Sequence, residues 1–332
     1  MIEANTLPTI FILLMSLAIL VYAILDGYDL GVGILLPGDV ESQRNTMIAS
    51  IGPFWDANET WLVLAIGILL IAFPAAHNIV LRELYLPTTF MLTGLILRGV
   101  AFDFRAKAIT LHKSRWDAAF KIGSALAALS QGYMLGAYVM GFDSSPMAVV
   151  FSCLSAFGVA AAYSYIGGAW LVMKTEGELQ IRAARWTRYA GWLAMLGITA
   201  ICIIHPLLNE NLMDKWFGMP QVLLLFPMPV IIGACFLVSD LYLKRMPHAN
   251  DLGCWIPFTA AVSIFFLCFI GLAYSFYPYV VPNQLTIWEA ASAPESLAFI
   301  LVGVVIVIPV ILAYTIFSYR VFWGKATELK YH

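Results

Sequence analysis

Long apolar stretches with no charged residue set the pattern of this chain. Residues 6–25, 60–81, 147–173, 221–239, 253–279 and 296–319 contain no Asp, Glu, Lys or Arg. About 20 apolar residues span the hydrocarbon core of a bilayer as a helix, so each stretch predicts a membrane crossing. The apolar positions are continuous and do not alternate, which excludes a transmembrane barrel. Shorter or more mixed stretches complete the set, and nine spans are predicted at about 7–36, 52–75, 80–103, 118–140, 147–173, 187–206, 220–243, 253–279 and 296–323. The expected fold class is an all-α polytopic membrane protein, with residues 1–332 forming one transmembrane domain.

Composition agrees with that pattern: 61% of the residues are hydrophobic and only 11% are charged, with a mean hydropathy of +0.86. The first basic residue is Arg44, so the start lacks the basic region of a cleavable signal and the first apolar run is expected to stay as a helix. Basic residues are placed unevenly along the nine spans. Arg44, Arg105, Lys107, Lys113, Arg115, Lys121, Lys174, Arg182, Arg185, Arg188, Lys244, Arg245, Arg320, Lys325 and Lys330 fall on one side, whereas Arg82 and Lys215 fall on the other and Arg98 lies inside the third span. Positive residues collect on the cytoplasmic side, so the N-terminus is expected outside and the C-terminus in the cytoplasm. Cys153, Cys202, Cys235, Cys254 and Cys268 stand singly and read as packing residues. A net charge of −2 without a basic patch argues against a nucleic-acid partner.

Four carboxylates break the apolar pattern. Asp26 and Asp29 sit toward the inner end of the first span, and Asp56 and Glu59 near the start of the second. A charged side chain at the bilayer centre costs on the order of 2.5 to 3.5 kcal/mol, so such groups normally face protein or a water path. Each pair has i, i+3 spacing, which places both members on one helix face, and the two faces are predicted to meet at a shared depth. Arg98, with Asp103 and Arg105 following, is positioned to offset part of this charge. Tyr28, Ser50, Asn58 and Thr60 supply hydrogen-bonding groups nearby. Two uses fit this set: uptake of protons from the cytoplasm, or a structural ion network. Gly27, Gly31 and Gly33 read as a helix-packing stripe.

His77, His112, His205, His248 and His332 fall in predicted loops, at span ends or at the terminus, so no axial pair for a haem is expected within the chain. Phosphate-binding loops, dinucleotide fingerprints and nucleophile elbows are missing from the sequence. An ion-coupled transporter would also use intramembrane acids, but the inverted repeats common among transporters are not evident.

Five motifs carry the reading further. In order along the chain, LDGYDLGVGILLP (25–37), IGPFWDANETWLV (51–63), LILRGVAFDFRAK (95–107), TEGELQIRAAR (175–185) and YPYVVPNQLTIWEAAS (277–292) resemble subunit II of the cytochrome bd-type quinol oxidases. Ala57 departs from the Gly that often follows the Asp of the W-D motif. The resemblance implies two four-helix bundles plus one peripheral helix, paired with subunit I as a heterodimer in the bacterial cytoplasmic membrane. It implies that haem b and haem d are held by subunit I and that quinol is the electron donor; some members of the family also hold a structural quinone in this subunit, for which no residue here identifies a site, and a small single-helix accessory subunit is a further expected partner. Asp56 takes the role of proton uptake in this reading, with Glu59, Asp26 and Asp29 lining the route and Arg98, Asp103, Asn58 and Trp55 supporting it. The short loop at 207–219 fits the cyanide-insensitive branch of the family.

Overall fold

A computed structural model describes residues 6–107, 110–208, 210–248 and 251–326, and these are helical almost throughout. Helix α1 (Thr6–Ile34) is the central element, and packs against α3 (Trp55–Ala72), α5 (Thr110–Val139) and α6 (Pro146–Lys174). Helix α4 (Pro74–Lys107) pairs with α5, and α6 pairs with α7 (Gly177–Leu208). The chain continues through α8 (Glu210–Phe217) and α9 (Gln221–Leu225) into α10 (Pro227–Lys244) and α11 (Ile256–Phe276). Helix α10 lies against α7 and α11, and α11 returns to α6. A two-stranded hairpin of β1 (Tyr279–Val281) and β2 (Leu285–Thr286) and a single turn, α12 (Ile287–Ala290), lead into α13 (Pro294–Val321), which packs on α1 and α3.

Among the described residues, eight helical stretches are long and apolar enough to cross a membrane: α1, α3, α4, α6, α7, α9 with α10, α11 and α13. The protein is therefore a predominantly helical, multi-pass membrane protein. Helix α5 coincides with the predicted span at 118–140 and its 30 residues give a length of about 45 Å, but it is more polar than the other eight. Its Ser124 and Ser130 are buried against neighbouring helices, so that polarity faces the protein.

Small residues set the helix spacing. A Cβ on Gly31 of α1 would meet the Tyr163 carbonyl oxygen of α6 at 1.8 Å, and one on Gly167 of α6 would meet the Gly31 carbonyl carbon at 2.6 Å. Helices α1 and α6 touch backbone to backbone here, as the glycine stripe predicts. Gly94 and Gly123 produce the same closeness between α4 and α5, directly beneath the Arg98 backbone. Only Phe73 separates α3 from α4, and α4 kinks at Leu84 (φ −109°, ψ 15°), three residues before Pro87. Proline lacks an N–H and its ring crowds the carbonyl four residues earlier, which is Glu83 here.

Helix α2 (Glu41–Ile51) lies at the end of the molecule where most basic residues collect, a segment that span prediction leaves as a loop. It is too short and polar to cross, and it buries Met47, Ile48 and Ile51. Two arginines hold it in place. Arg44 donates to Asp117 at 2.7 Å, Arg105 also pairs with Asp117, and Arg105 donates to Asn45 at 2.8 Å. At the same end Arg182 of α7 binds Asp39 at 2.9 Å, and the residues after α13 cross the turn between α6 and α7. The Lys174 ammonium donates to the Phe322 carbonyl at 3.0 Å, the Ala326 amide donates to the Lys174 carbonyl at 2.7 Å, and Lys325 pairs with Asp251. Lys330 and His332 lie outside the described residues.

A buried carboxylate cluster as the candidate functional site

Arg98 organises the site. It is 1% exposed, and its Nη2 donates to Asp26 Oδ1 at 2.7 Å and to Glu59 Oε1 at 2.6 Å. Three helices thus contribute to one ionic group: α1 supplies Asp26, α3 supplies Glu59 and α4 supplies Arg98. At 1.5 Å per residue, Asp26 lies about 12 Å from the C-terminal end of α1 and Arg98 about 13.5 Å from that of α4. Both therefore stand well inside their helices. A guanidinium suits two carboxylates at once, because the two N–H groups of one terminal nitrogen diverge in its rigid plane and each can meet a different acceptor.

Asp29 belongs to a second branch. Asp29 Oδ2 accepts from Asn58 Nδ2 at 2.8 Å, and the same nitrogen lies 3.0 Å from the Tyr28 hydroxyl. Tyr319 of α13 donates to Asn58 Oδ1 at 3.2 Å, and the Tyr28 and Tyr319 hydroxyls are 2.5 Å apart. Asp29, Asn58 and Tyr28 are fully buried. Around them Tyr28 stacks on Trp170 with ring centroids 4.3 Å apart, and Phe54 stacks on Tyr319 at 4.5 Å. These rings exclude water from the branch, and the low local dielectric strengthens each hydrogen bond.

The i, i+3 spacing therefore divides its work differently on the two helices. Asp26 and Asp29 are both buried on one face of α1, yet one meets Arg98 and the other Asn58. On α3, Glu59 reaches inward with its side chain 30% exposed, whereas Asp56 stays on the outer surface. Asp56 lies within electrostatic reach of exposed Asp103 and of Arg98, and so borders the cluster without bonding to it. Trp55 packs on Phe102 of α4 with centroids 5.2 Å apart, fixing the start of α3 beside this acidic surface.

Three nearby groups do other work. Ser50 donates to the Met47 carbonyl and Thr60 to the Asp56 carbonyl, both within their own helical segments, so neither joins the carboxylates. Arg105 serves Asp117 and Asn45 in place of the cluster. Tyr319 is the member that the apolar pattern hides. It is 261 residues from Asn58 and sits in a stretch that otherwise reads as plain membrane helix.

His77 lies in the first turn of α4, His112 in the first turn of α5 and His248 beyond the end of α10, where it stacks on Tyr242 at 4.2 Å. The described residues contain no group of three His, Cys, Asp or Glu side chains arranged to hold a metal ion.

Comparison with known proteins identifies the family of the chain. Relatives that align across nearly the whole chain include the cytochrome bd-I ubiquinol oxidase subunit 2 of Escherichia coli strain K12, 26% identical over 99% of this chain and 97% of the relative. The cytochrome bd ubiquinol oxidase subunit 2 of Bacillus subtilis strain 168 is 25% identical over 97% of this chain and 98% of that protein. The fold matches a chain of the bd oxidase structure from Geobacillus thermodenitrificans with a TM-score of 0.77 at 19% identity, covering 96% of this chain and 99% of that one. The profile described as cytochrome bd terminal oxidase subunit II matches residues 7–322, and the chain belongs to that family.

Proposed function

We propose that this chain works as subunit II of a quinol oxidase that reduces dioxygen to water, and that its carboxylate cluster forms part of the route by which cytoplasmic protons enter. The observation that carries this reading is the exposed Asp56, beside Asp103 and one turn from Glu59, which itself reaches the buried Arg98–Asp26 pair. A carboxylate left against lipid is unfavourable by a few kcal/mol, so the α3–α4 face is one that another protein covers. Subunit I is the partner assigned to it. Exposed Val63 and Leu70 on α3 continue the same face with the apolar character of a helix-packing surface.

In this arrangement the termini point as the charge distribution predicts, outside for the N-terminus and cytoplasmic for the C-terminus. Helix α5 makes the ninth crossing. The bundles are α1, α3, α4 and α5, then α6, α7, α10 and α11, with α13 at the periphery. Haem b and haem d belong to subunit I, an assignment supported by the positions of His77, His112 and His248 at helix ends. When bound there, the haems supply the electron transfer and oxygen chemistry. The residues of this chain deliver charge balance: each electron entering a buried centre needs a proton nearby, and carboxylates that share one guanidinium exchange protons without separating full charges across the membrane.

Asp56→Asn tests the route. The variant complex is expected to assemble with its haem absorption spectrum intact and to consume oxygen severalfold more slowly; full turnover would remove Asp56 from the pathway. A second reading, in which the acids only brace the helices, is favoured by the two short bonds on Arg98. It predicts loss of assembled complex without loss of turnover per haem, so both quantities are measured on each variant.

A further inference from the structure

Above the cluster, away from the basic end, a hydrogen-bond chain runs from Tyr163 to Tyr22, one helical turn from Asp26. The Tyr163 hydroxyl of α6 donates to Gln131 Oε1 of α5 at 2.7 Å, and Gln131 Nε2 donates to the Tyr22 hydroxyl oxygen of α1 at 2.7 Å. Tyr22 precedes Asp26 by one helical turn on the same face of α1, which brings its hydroxyl within electrostatic reach of that carboxylate. Arg98 occupies Asp26 Oδ1, whereas the buried Oδ2 has no hydrogen-bond partner. Tyr22 and Tyr163 are 6% and 5% exposed.

An amide has one end that only donates and one that only accepts. Two hydroxyls alone would satisfy Gln131 in either orientation. The nearby negative charge decides between them: turning the amide round would make Tyr22 donate to Gln131 and leave its oxygen lone pairs against the Asp26 carboxylate. In the observed orientation Tyr22 accepts from Gln131 and its own proton is free to point at Asp26.

We infer that Gln131 is a positioning residue that fixes the Tyr22 hydroxyl as a donor toward the unpartnered Asp26 Oδ2, and so orients that carboxyl for proton transfer. This rests on the proton-route reading above. The groups facing Asp26 from the surrounding helices are Tyr22 and Asp29 on α1, Glu59 on α3, Arg98 on α4 and, through Gln131 of α5, Tyr163 of α6.

Two isosteric substitutions separate positioning from packing, measured on the purified complex. Tyr22→Phe removes the donor next to Asp26 and is expected to lower turnover per haem about fivefold and to move the carboxyl infrared band that Asp26→Asn identifies. Tyr165→Phe removes a buried hydroxyl of α6 that lies outside this hydrogen-bond chain, and is expected to leave turnover within twofold and the band in place. Equal effects of the two variants on turnover and on the band overturn the inference. If Tyr22→Phe fails to assemble, Gln131→Met takes its place in the comparison, since it keeps the volume and removes the amide. Asp26→Asn is assayed alongside: full turnover in that variant overturns the proton route through Asp26, and the infrared comparison then decides on Tyr22 alone.

Discussion

Replacing Arg98 by Met removes the only cation that bonds Asp26 and Glu59 among the described residues, and the structure sets the size of the effect. The two bonds are 2.7 and 2.6 Å, Arg98 is 1% exposed and Asp26 is 0% exposed, so solvent cannot take over the role of the guanidinium at Asp26. Breaking a buried ion pair by deleting one partner costs about 3 to 5 kcal/mol, because the other charge is left uncompensated. At about 1.36 kcal/mol per tenfold, that lowers the folded-to-unfolded ratio by a factor of roughly 150 to 5,000. Glu59, with a side chain 30% exposed, contributes less of this loss than Asp26. The assay is the thermal and denaturant unfolding of the detergent-solubilised complex, followed by retained haem absorbance. Arg98→Met is expected to be severely destabilised, and Arg98→Met combined with Asp26→Asn to recover a large part of the loss, since the second change removes the orphaned charge. An Arg98→Met complex as stable as the parent, with Asp26 intact, would refute the view that the guanidinium is the counter-ion of these acids.

Two further outcomes follow from the geometry. Gly31→Ala is expected to reduce assembly sharply, because the new Cβ would sit 1.8 Å from the Tyr163 carbonyl oxygen, whereas Gly67→Ala, with nothing within 4 Å, is expected to be tolerated; the yield of complex from membranes compares them. The Arg182 guanidinium holds the Asp39 carboxyl below the usual carboxylate range. A carboxyl lowered in the folded state stabilises above its unfolded value, near pH 4, and that contribution fades as the pH falls through the folded value. The difference in Tm between the parent and Asp39→Asn is therefore expected to be present at about pH 6 and to shrink as the pH falls below about 4.

Much of this architecture is legible in the amino-acid order because lipid tolerates so few patterns. Uncharged runs announce α1, α6, α11 and α13, and the charges that interrupt them, Asp26, Asp29, Glu59 and Arg98, stand out for the same reason. Helix α5 is less clear: Ser124, Ser130 and Gln131 dilute its apolar signal, and only the folded helix shows two of them turned inward. Helix α2 is missed because a short segment lying at the membrane edge needs no long apolar run. Equal spacing of the two acid pairs suggests equal roles, but the spacing fixes a helix face and not its neighbour. That is why Asp56 lies outside while Asp26 is enclosed. Tyrosines are the hardest members to find. Tyr22, Tyr163 and Tyr319 count as apolar aromatics in a hydropathy pattern, and their hydroxyls gain meaning only from partners distant in sequence.

The Tyr319 contact also has a bearing on biogenesis. Ribosomes deliver this residue after every other member of the Asp29–Asn58 branch has emerged. Until α13 docks, the branch lacks its outermost hydroxyl and the stacked ring beside Phe54. A prematurely terminated product would therefore display an unsealed polar seam to the lipid, a mark by which proteolytic surveillance can distinguish unfinished chains from finished ones.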